Sequence, residues 1–321
     1  MRNITNYQLP DILIVGTGAL GTLFAARLAR AGQRVTMLGT WQEGIAALQK
    51  DGARIVGADG HEGRFEVHAT DDPRECAGAK YALVLVKAWQ TERAAKQLSE
   101  CLAVDGLAVT LQNGLGNYET LAQILNHQTS EVSSDFRSLN SRVALGSTTT
   151  GATLLAPGVA RAGGEGVLSI QRHQALGPIE AMLLSANFNV NIVENAQSLV
   201  WGKLVINAAI NPLTALLRVP NGELLNRPSA REMMGQLARE VAEVAYAEKI
   251  KLPFDDPAAM AEKVARKTAA NQSSMLQDVL RNAPTEIDAI CGAVVRAGEK
   301  HGIHTPCNLA CWKLVCALNG L

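Results

Sequence analysis

The stretch ILIVGTGALG, residues 12–21, decides the fold of the N-terminal half of the chain. Its first four residues are apolar and predict a short buried strand, after which three glycines follow in the spacing GxGxxG. A helical pattern then ends at Gly32, and residues 35–38 predict a second strand. A strand, a tight glycine turn, a helix and a second strand, in this order, are typical of a dinucleotide-binding Rossmann-type domain.

The glycine turn also predicts where a nucleotide would bind. Glycines allow the backbone to approach a pyrophosphate, and the N-terminus of the following helix supplies amides and a partial positive charge. The alternative is a glycine turn in another α/β fold, because GxGxxG on its own is a weak motif. The residues of this candidate nucleotide site are Gly16, Thr17, Gly18, Ala19, Leu20 and Gly21.

Two further apolar strands end in polar residues. Residues 81–86 run into Lys87, and residues 107–111 are followed by Gln112 and Asn113. Because ligands of open α/β sheets bind at the carboxyl ends of strands, Lys87 and Asn113 are candidate ligand contacts. The alternative for Asn113 is turn chemistry, since Asn-Gly is a common turn pair.

The stretch after the fourth strand changes character. Residues 127–142 are serine-rich and aperiodic, which predicts a long surface loop. Strand-like segments at 143–150, 151–155, 159–162 and 167–171 then predict antiparallel strands that close the sheet.

The second half of the chain has helical periodicity throughout. The predicted helices lie at 195–218, 229–250, 256–280, 285–301 and 306–319. The sequence therefore predicts an α/β Rossmann-type dinucleotide-binding domain over residues 1–193. An all-α C-terminal domain over residues 194–321, carrying substrate-binding and catalytic groups, is expected to follow it.

Polar residues interrupt the apolar helix WGKLVINAAINPLTAL, residues 201–216. Lys203, Asn207 and Asn211 recur at i, i+4 and i+8, so they share one stripe of the helix. Buried amides and ammonium groups are costly unless a partner satisfies them, and a polar ligand would do so. The alternative is a helix edge whose amides bond to neighbouring loops.

Composition excludes several classes of protein. The chain has 321 residues and is 47% hydrophobic and 19% charged, which suits about two domains. Basic and acidic residues both number 30 and form no tract, which argues against nucleic acid or a membrane surface as the main partner. No uninterrupted apolar stretch reaches the roughly 18 residues of a membrane span. The first residues, MRNITNYQLPD, lack the apolar core of a signal peptide, so we expect a cytoplasmic protein.

The cysteines are expected to be free thiols. There are six, none in a CxxC pair or at a zinc-binding spacing from a histidine, so no metal site is expected. Cys307 and Cys311 are one helical turn apart, and we interpret them as core residues in preference to a redox or metal pair.

Several motifs in a fixed order resemble one family. Over about residues 11–318 the chain resembles the ketopantoate reductase (2-dehydropantoate 2-reductase) family. The matching segments are GTGALG at 16–21, LVKAWQ at 85–90, QNGLGN at 112–117, GSTTTGAT at 146–153, WGKLVINAAINPLTAL at 201–216, PNGEL at 220–224, NQSSMLQD at 271–278 and TEIDAICG at 285–292. Several such motifs in order are far more specific than any one of them.

The resemblance implies an activity and a set of site residues. The activity is reduction of the C2 ketone of ketopantoate with NADPH to give (R)-pantoate, a step of pantothenate and coenzyme A biosynthesis. Lys203 matches the general acid, and Glu286 matches an acidic residue at the junction of substrate and nicotinamide. The implied substrate contacts are Asn113, Asn207, Asn211, Asn221, Asn271 and Ser274. The implied cofactor contacts are Gly16 to Gly21, Thr40, Lys87, Asn113, Ala152 and Glu286.

The chemistry of ketone reduction agrees with these roles. Reduction builds negative charge on the carbonyl oxygen, so a proton donor or cation must stand beside it. A partly buried lysine has a depressed pKa and donates near neutral pH. Sequence alone leaves plainer alternatives for two residues: Glu286 as an acid in the first turn of a helix, and Ser274 as part of a Ser-Ser cap.

The chain departs from the family pattern after the second strand. The family usually has an arginine there that receives the 2′-phosphate of NADPH, whereas this chain has Thr40. We therefore expect NADPH as cofactor but a smaller preference over NADH than the family norm, with Lys87 as a remaining cation. The 127–142 loop is also longer than the family pattern predicts.

Three hypotheses about function compete at this point. The first is a ketopantoate reductase, and the second is a reductase of the same family acting on another 2-keto acid. The third belongs to another class, a nucleotide-sensing regulator without catalysis. The intact polar residues of the second half argue against the third, because a sensor needs only the first domain. A small-molecule keto acid is the expected partner, and a homodimer is left open.

Overall fold

The computed structural model describes residues 9–57, 60–126 and 141–318. These residues form two compact units. Among the described residues, the first unit comprises 9–57, 60–86, 90–112, 117–126 and 141–196, and the second comprises 87–89, 113–116 and 197–318. Two short segments, which follow strands of the first unit in the chain, thus belong with the helices of the second. Most of the predicted 127–142 loop lies outside the described residues.

The first unit is built on a mainly parallel sheet, as the glycine fingerprint predicts. The strands of this unit are β1 (Ile12–Val15), β2 (Val35–Leu38), β3 (Ala53–Val56), β4 (Glu62–Phe65), β5 (His68–Thr70), β6 (Ala79–Val84), β7 (Leu102–Thr110), β8 (Val143–Thr148), β9 (Ala152–Ala156), β10 (Val159–Ala162), β11 (Val167–Gln171) and β12 (Asn189–Val193). In the described residues, eight strands form the main sheet in the order β12-β11-β8-β7-β6-β1-β2-β5.

Helices cover both faces of this sheet. They are α1 (Ala19–Arg30), α2 (Gln42–Asp51), α3 (Thr91–Cys101), α4 (Asn117–Asn126) and α5 (Gly177–Ser185). Alternate residues of β1 enter two separate cores, because successive side chains of a strand point to opposite faces. α1, α2 and α5 contribute to one core, and α3 and α4 contribute to the other. This doubly wound arrangement is that of a Rossmann-type domain, the fold class predicted from the sequence.

The prediction for the segments after residue 143 is partly wrong. Among the described strands, β8 runs parallel to β7, and only β11 joins the main sheet in an antiparallel sense, through β8. β9 and β10 instead join β3 and β4 in a separate four-stranded sheet of order β4-β3-β10-β9, in which β10 pairs with β3. Periodicity shows that a segment is extended, but strand partners are set by contacts far along the chain.

The described part of the second unit is helical. Its helices are α6 (Gln197–Leu217), α7 (Pro228–Ala247), α8 (Pro257–Lys267), α9 (Ser274–Leu280), α10 (Ala293–Lys300) and α11 (Pro306–Leu318). The helix predicted over 256–280 is two helices, because the chain leaves helical geometry after Lys267 and Ser273 caps a new start. The helix predicted over 285–301 begins with a π-helical turn, Asp288–Gly292.

In the part of the chain that the structure describes, one helix has the length and apolarity of a membrane span. α6 is 21 residues long, and 67% of its most apolar window is buried within the fold. Its buried residues, among them Leu204, Val205 and Ala208, join the core of the second unit with side chains from α7, α9 and α11. Such burial is that of a core helix in a globular protein. The six cysteines are free thiols, as predicted.

Candidate active site

The glycine turn has the geometry that a dinucleotide fingerprint requires. Gly16 has φ +125°, and a Cβ there would lie 3.0 Å from the backbone of Leu85. A Cβ on Gly21 would lie 2.0 Å from the Gly16 carbonyl oxygen, so only glycine lets α1 pack against the turn. A Cβ on Gly18 would meet no protein atom within 4 Å, which leaves open space above the middle glycine.

The N-terminus of α1 is prepared for an anion. No side chain caps it, and its first turn holds no acidic residue. The first helical amide to bond back is that of Thr22, which donates to the Gly18 carbonyl at 2.9 Å. The amides of Ala19, Leu20 and Gly21 precede it, at the positive end of the helix dipole. These residues fit a pyrophosphate, because backbone amides and an open Gly18 are what such a group needs.

The end of β2 carries a polar pair that the sequence did not reveal. Gly39 packs against buried Thr17, and a Cβ on Gly39 would lie 2.7 Å from Thr17 Cγ2. The next residue, Thr40, is exposed and accepts a hydrogen bond from Arg93 Nη1 at 2.5 Å. Arg93 is 53 residues away in the sequence, in the first turn of α3, so no local motif indicated it.

In the second unit, Lys87 lies between two buried carboxylates. Its Nζ is 2.6 Å from Asp278 Oδ2 and 3.7 Å from Glu286 Oε2. Burial opposes the charged form of Lys87, but Glu286 and Asp278 raise its pKa above the usual value. Burial likewise raises the pKa of Asp278, against the lowering by Lys87. The positive charge of Lys87, which the sequence predicts as a cofactor contact, is thus balanced by Asp278 and Glu286.

Besides its ion pair with Lys87, the Glu286 carboxylate accepts two hydrogen bonds. One carboxylate oxygen accepts from the Ala88 amide at 3.0 Å, and the other accepts from Asn113 Nδ2 at 3.0 Å. Its side chain is 5% exposed. The Asn113 loop is anchored next to it, because the Leu115 amide donates to the Ala289 carbonyl at 2.9 Å. Ala289 belongs to the π-helical turn, a feature often found at functional sites.

Lys203 has a pKa close to neutral pH. It is half-buried on α6. Burial lowers its pKa to about 8, against the opposing effect of the Glu286 charge. Asn207 is half-buried and Asn211 is buried on the same helix, so the stripe expected from the sequence lies along the inner part of α6.

Hydrogen bonds connect α6 with the start of α9. The Thr214 hydroxyl donates to the Asn211 carbonyl at 2.9 Å and is 2.7 Å from the Ser273 hydroxyl. Ser273 caps α9 by accepting from the Leu276 amide at 3.1 Å. The cap is therefore Ser273, and Ser274 beside it is exposed.

The remaining predicted contacts occupy different settings. Asn221 is buried, and its Nδ2 donates to Thr268 Oγ1 at 2.9 Å. The backbone amide of Asn221 donates to the carbonyl of Asn271, which is exposed, at 3.0 Å. The Asn221 Oδ1 atom is buried and, within the described residues, lacks a hydrogen-bond partner. A buried acceptor without a partner is costly, and a ligand hydroxyl would satisfy it. Ala152 is half-buried at the start of β9, in the first unit.

Comparison with known proteins identifies the family. The profile described as "Ketopantoate reductase PanE/ApbA" matches residues 12–175, and "Ketopantoate reductase PanE/ApbA C terminal" matches residues 195–319. The chain belongs to the ketopantoate reductase family. It is 35% identical to the 2-dehydropantoate 2-reductase of Archaeoglobus fulgidus over 314 residues, which cover 96% of this chain and 97% of that one.

Solved structures share the whole fold with this ketopantoate reductase family member. A PanE/ApbA family ketopantoate reductase from Ralstonia eutropha matches with a TM-score of 0.86 at 30% identity, covering 96% of this chain and 98% of that chain. A D-mandelate dehydrogenase, solved with NADH and anilino(oxo)acetate, also matches with a TM-score of 0.86, at 25% identity and the same coverage. The fold thus occurs with more than one named activity.

The structure brings some of the predicted site residues of this family member together. Glu286 forms an ion pair with Lys87 and accepts a hydrogen bond from Asn113, and its charge acts on Lys203. Sequence reasoning missed Asp278 and Arg93. Asp278 ends the quoted segment NQSSMLQD, and its presence in a largely apolar helical turn was an available signal, whereas Arg93 had none.

Proposed function

We propose that this chain catalyses the NADPH-dependent reduction of 2-dehydropantoate (ketopantoate) to (R)-pantoate, a step of pantothenate and coenzyme A biosynthesis. The observation that carries the proposal is Lys203, whose pKa is lowered to about 8 beside the charge of Glu286. A general acid works best when its pKa lies near the operating pH. The name of the Archaeoglobus fulgidus relative, 2-dehydropantoate 2-reductase, supports the choice of substrate.

The proposed roles follow from the chemistry of each side chain. Bound NADPH supplies the hydride to the C2 carbonyl. Lys203 donates the proton to the carbonyl oxygen, and Glu286 orients Asn113 and keeps Lys203 charged by its negative field. We assign substrate contacts to Asn113, Asn207, Asn211, Asn221, Asn271 and Ser274, whose amides and hydroxyl bind carboxylate and hydroxyl groups without adding charge.

The cofactor assignment rests on the first unit. The residues Gly16 to Gly21 fit a pyrophosphate, because Gly18 is open and the amides of the α1 N-terminus have no capping side chain. We propose NADPH as the cofactor and retain Ala152 and Thr40 among its contacts. The division into a nucleotide domain, 1–193, and a substrate domain, 194–321, and a cytoplasmic location belong to the same proposal.

A second candidate is reduction of a different 2-keto acid. The similarity to D-mandelate dehydrogenase favours it, because that protein was solved with a 2-oxo acid, anilino(oxo)acetate. Both substrates would make the same contacts through their carboxylate and carbonyl groups. The two candidates therefore differ in how the site binds the rest of the substrate. The buried acceptor Asn221 Oδ1 favours a substrate with a hydroxyl, which ketopantoate has and phenylglyoxylate lacks.

Turnover with a panel of substrates tests these alternatives. We expect ketopantoate to be reduced with oxidation of NADPH, which is followed at 340 nm. The kcat/KM for phenylglyoxylate should be at least about 10²-fold lower than the kcat/KM for ketopantoate, since a site built for a hydroxyl rejects analogues that lack it. Asn221→Ala should narrow this ratio. A higher kcat/KM for phenylglyoxylate would favour the second candidate. Binding of NADPH without turnover of any 2-keto acid would favour a non-catalytic sensor.

A further inference from the structure

Arg93 and Thr40 form a polar pair that the proposed substrate chemistry does not use. The guanidinium donates from Nη1 to Thr40 Oγ1 at 2.5 Å. Thr40 is exposed and follows Gly39 at the carboxyl end of β2. In a Rossmann-type domain this strand end lies beside the adenosine ribose of a bound dinucleotide, whose 2′ substituent distinguishes NADPH from NADH.

The positive charge of Arg93 is not matched by an acid. In residues 9–57, 60–126 and 141–318 no carboxylate forms a salt bridge with it, and its neighbour Glu92 pairs with Lys96 instead. Within the same residues, Nε of Arg93 is buried and has no hydrogen-bond partner. A half-buried guanidinium whose charge no carboxylate neutralises is a favourable site for an anion.

The position of Arg93 in α3 adds to this charge. It lies in the first turn of the helix, where the helix dipole is positive and an acidic residue is the stabilising choice. An arginine at this position therefore gains nothing from its own helix. The guanidinium places its positive charge beside the Thr40 hydroxyl.

We propose that Arg93, with the Thr40 hydroxyl, binds the 2′-phosphate of NADPH and sets the preference for NADPH over NADH. This inference rests on the proposed function, because it assumes that the glycine turn holds a nicotinamide dinucleotide. A planar guanidinium suits phosphate through paired, charge-assisted hydrogen bonds. The cation reaches the phosphate from α3, which accounts for a threonine at the position where an arginine was expected. Lys87, the other candidate, is already engaged by Asp278 and Glu286.

Binding measurements on the full chain test the inference without relying on turnover. Dissociation constants for NADPH, NADH, 2′,5′-ADP and 5′-AMP are measured by calorimetry for wild type, Arg93→Gln and Arg93→Lys. Lys96→Gln, which removes an exposed cation from the same helix, is the matched control. We expect Arg93→Gln to weaken NADPH and 2′,5′-ADP roughly 10- to 100-fold, the usual range for a charged hydrogen bond. Affinity for NADH and 5′-AMP should change less than about twofold, and Arg93→Lys should be intermediate because an ammonium lacks the planar fork.

The outcomes separate this inference from the proposed function. Equal loss of NADPH and NADH binding in Arg93→Gln, or no loss in either, overturns the role of Arg93 but leaves the reductase proposal standing. A wild type that binds NADH as tightly as NADPH also overturns it. A wild type that binds neither dinucleotide contradicts the proposed function itself. Unchanged NADH affinity in each variant also shows that the protein is folded.

Discussion

At the scale of single residues, the ionisation of Lys203 gives the most direct test of the proposed reductase activity. Its pKa of about 8 means that the ammonium is present at neutral pH and is lost as the pH rises through that value. A general acid must be protonated, so kcat should be level below pH 8 and fall above it. Lys203→Ala should lower kcat by at least about 10²-fold. Steady-state kinetics over pH 6–10 measure both effects.

A control variant separates this effect from a general loss of lysine charge. Lys267→Ala removes an exposed lysine from the end of α8 and should leave the pH profile unchanged. Near-normal turnover by Lys203→Ala would mean that another group or water protonates the product. NADPH affinity should be the same in both variants, because the proposed pyrophosphate contacts lie in the glycine turn.

Glu286 offers a second test at the same scale, since its charge opposes the effect of burial on Lys203. Removing that charge in Glu286→Gln should lower the pKa of Lys203 further. The decline of kcat with pH should then begin below pH 8, in addition to any loss from the altered contacts with Ala88 and Asn113. A pH profile displaced to higher values would show that Glu286 does not stabilise the ammonium.

At the scale of elements, two glycines of the same turn should respond differently to one added methyl group. In Gly21→Ala the Cβ would lie 2.0 Å from the Gly16 carbonyl oxygen, so α1 must shift and the melting temperature should fall. In Gly18→Ala the Cβ meets no protein atom within 4 Å, so stability should be retained. Nucleotide affinity should nevertheless fall in Gly18→Ala, because the methyl group occupies the space expected for the pyrophosphate.

Thermal melts and NADPH titrations of the two variants decide the matter. Gly32→Ala is an unsuitable control because that glycine has φ +86°. Gly177→Ala is better, since its Cβ is also unobstructed and it starts α5 at another point of the first unit. If Gly18→Ala binds NADPH as tightly as Gly177→Ala does, the dinucleotide does not cross the glycine turn.

The elements also show where sequence reasoning succeeds. Local signals were sufficient for β1, the glycine turn and α1, because an apolar strand and a glycine spacing are both short-range. They were insufficient for the sheet that holds β9 and β10, because β10 pairs with β3, which lies about a hundred residues earlier in the chain. Lys203 could be singled out because it interrupts an apolar helix. Arg93 could not, since a charged residue in a polar first turn of α3 is ordinary until the fold brings it to Thr40.

At the scale of the whole molecule, the candidate ligand groups fall into two sets. The glycine turn, Thr40 and Arg93 belong to the first unit, and Lys203, Asn211 and Ser274 belong to the second. Each ligand should therefore protect a different part of the chain from hydrogen exchange, because binding stabilises the structure around the groups that make the contacts.

Hydrogen–deuterium exchange on the full chain tests this division. NADP⁺, which cannot reduce the keto acid, should slow exchange in α1 and in the first turn of α3. Added ketopantoate should then slow exchange in α6 and α9. A ligand present at 100 times its dissociation constant stabilises the folded chain by about 2.7 kcal/mol. Exchange that requires the ligand-binding structure to unfold should then be roughly 100-fold slower. Gly18→Ala should lose the NADP⁺ effect, and Lys203→Ala should keep it. Protection of α6 by ketopantoate with no protection of α1 by NADP⁺ would contradict the nucleotide assignment and leave the keto acid site intact.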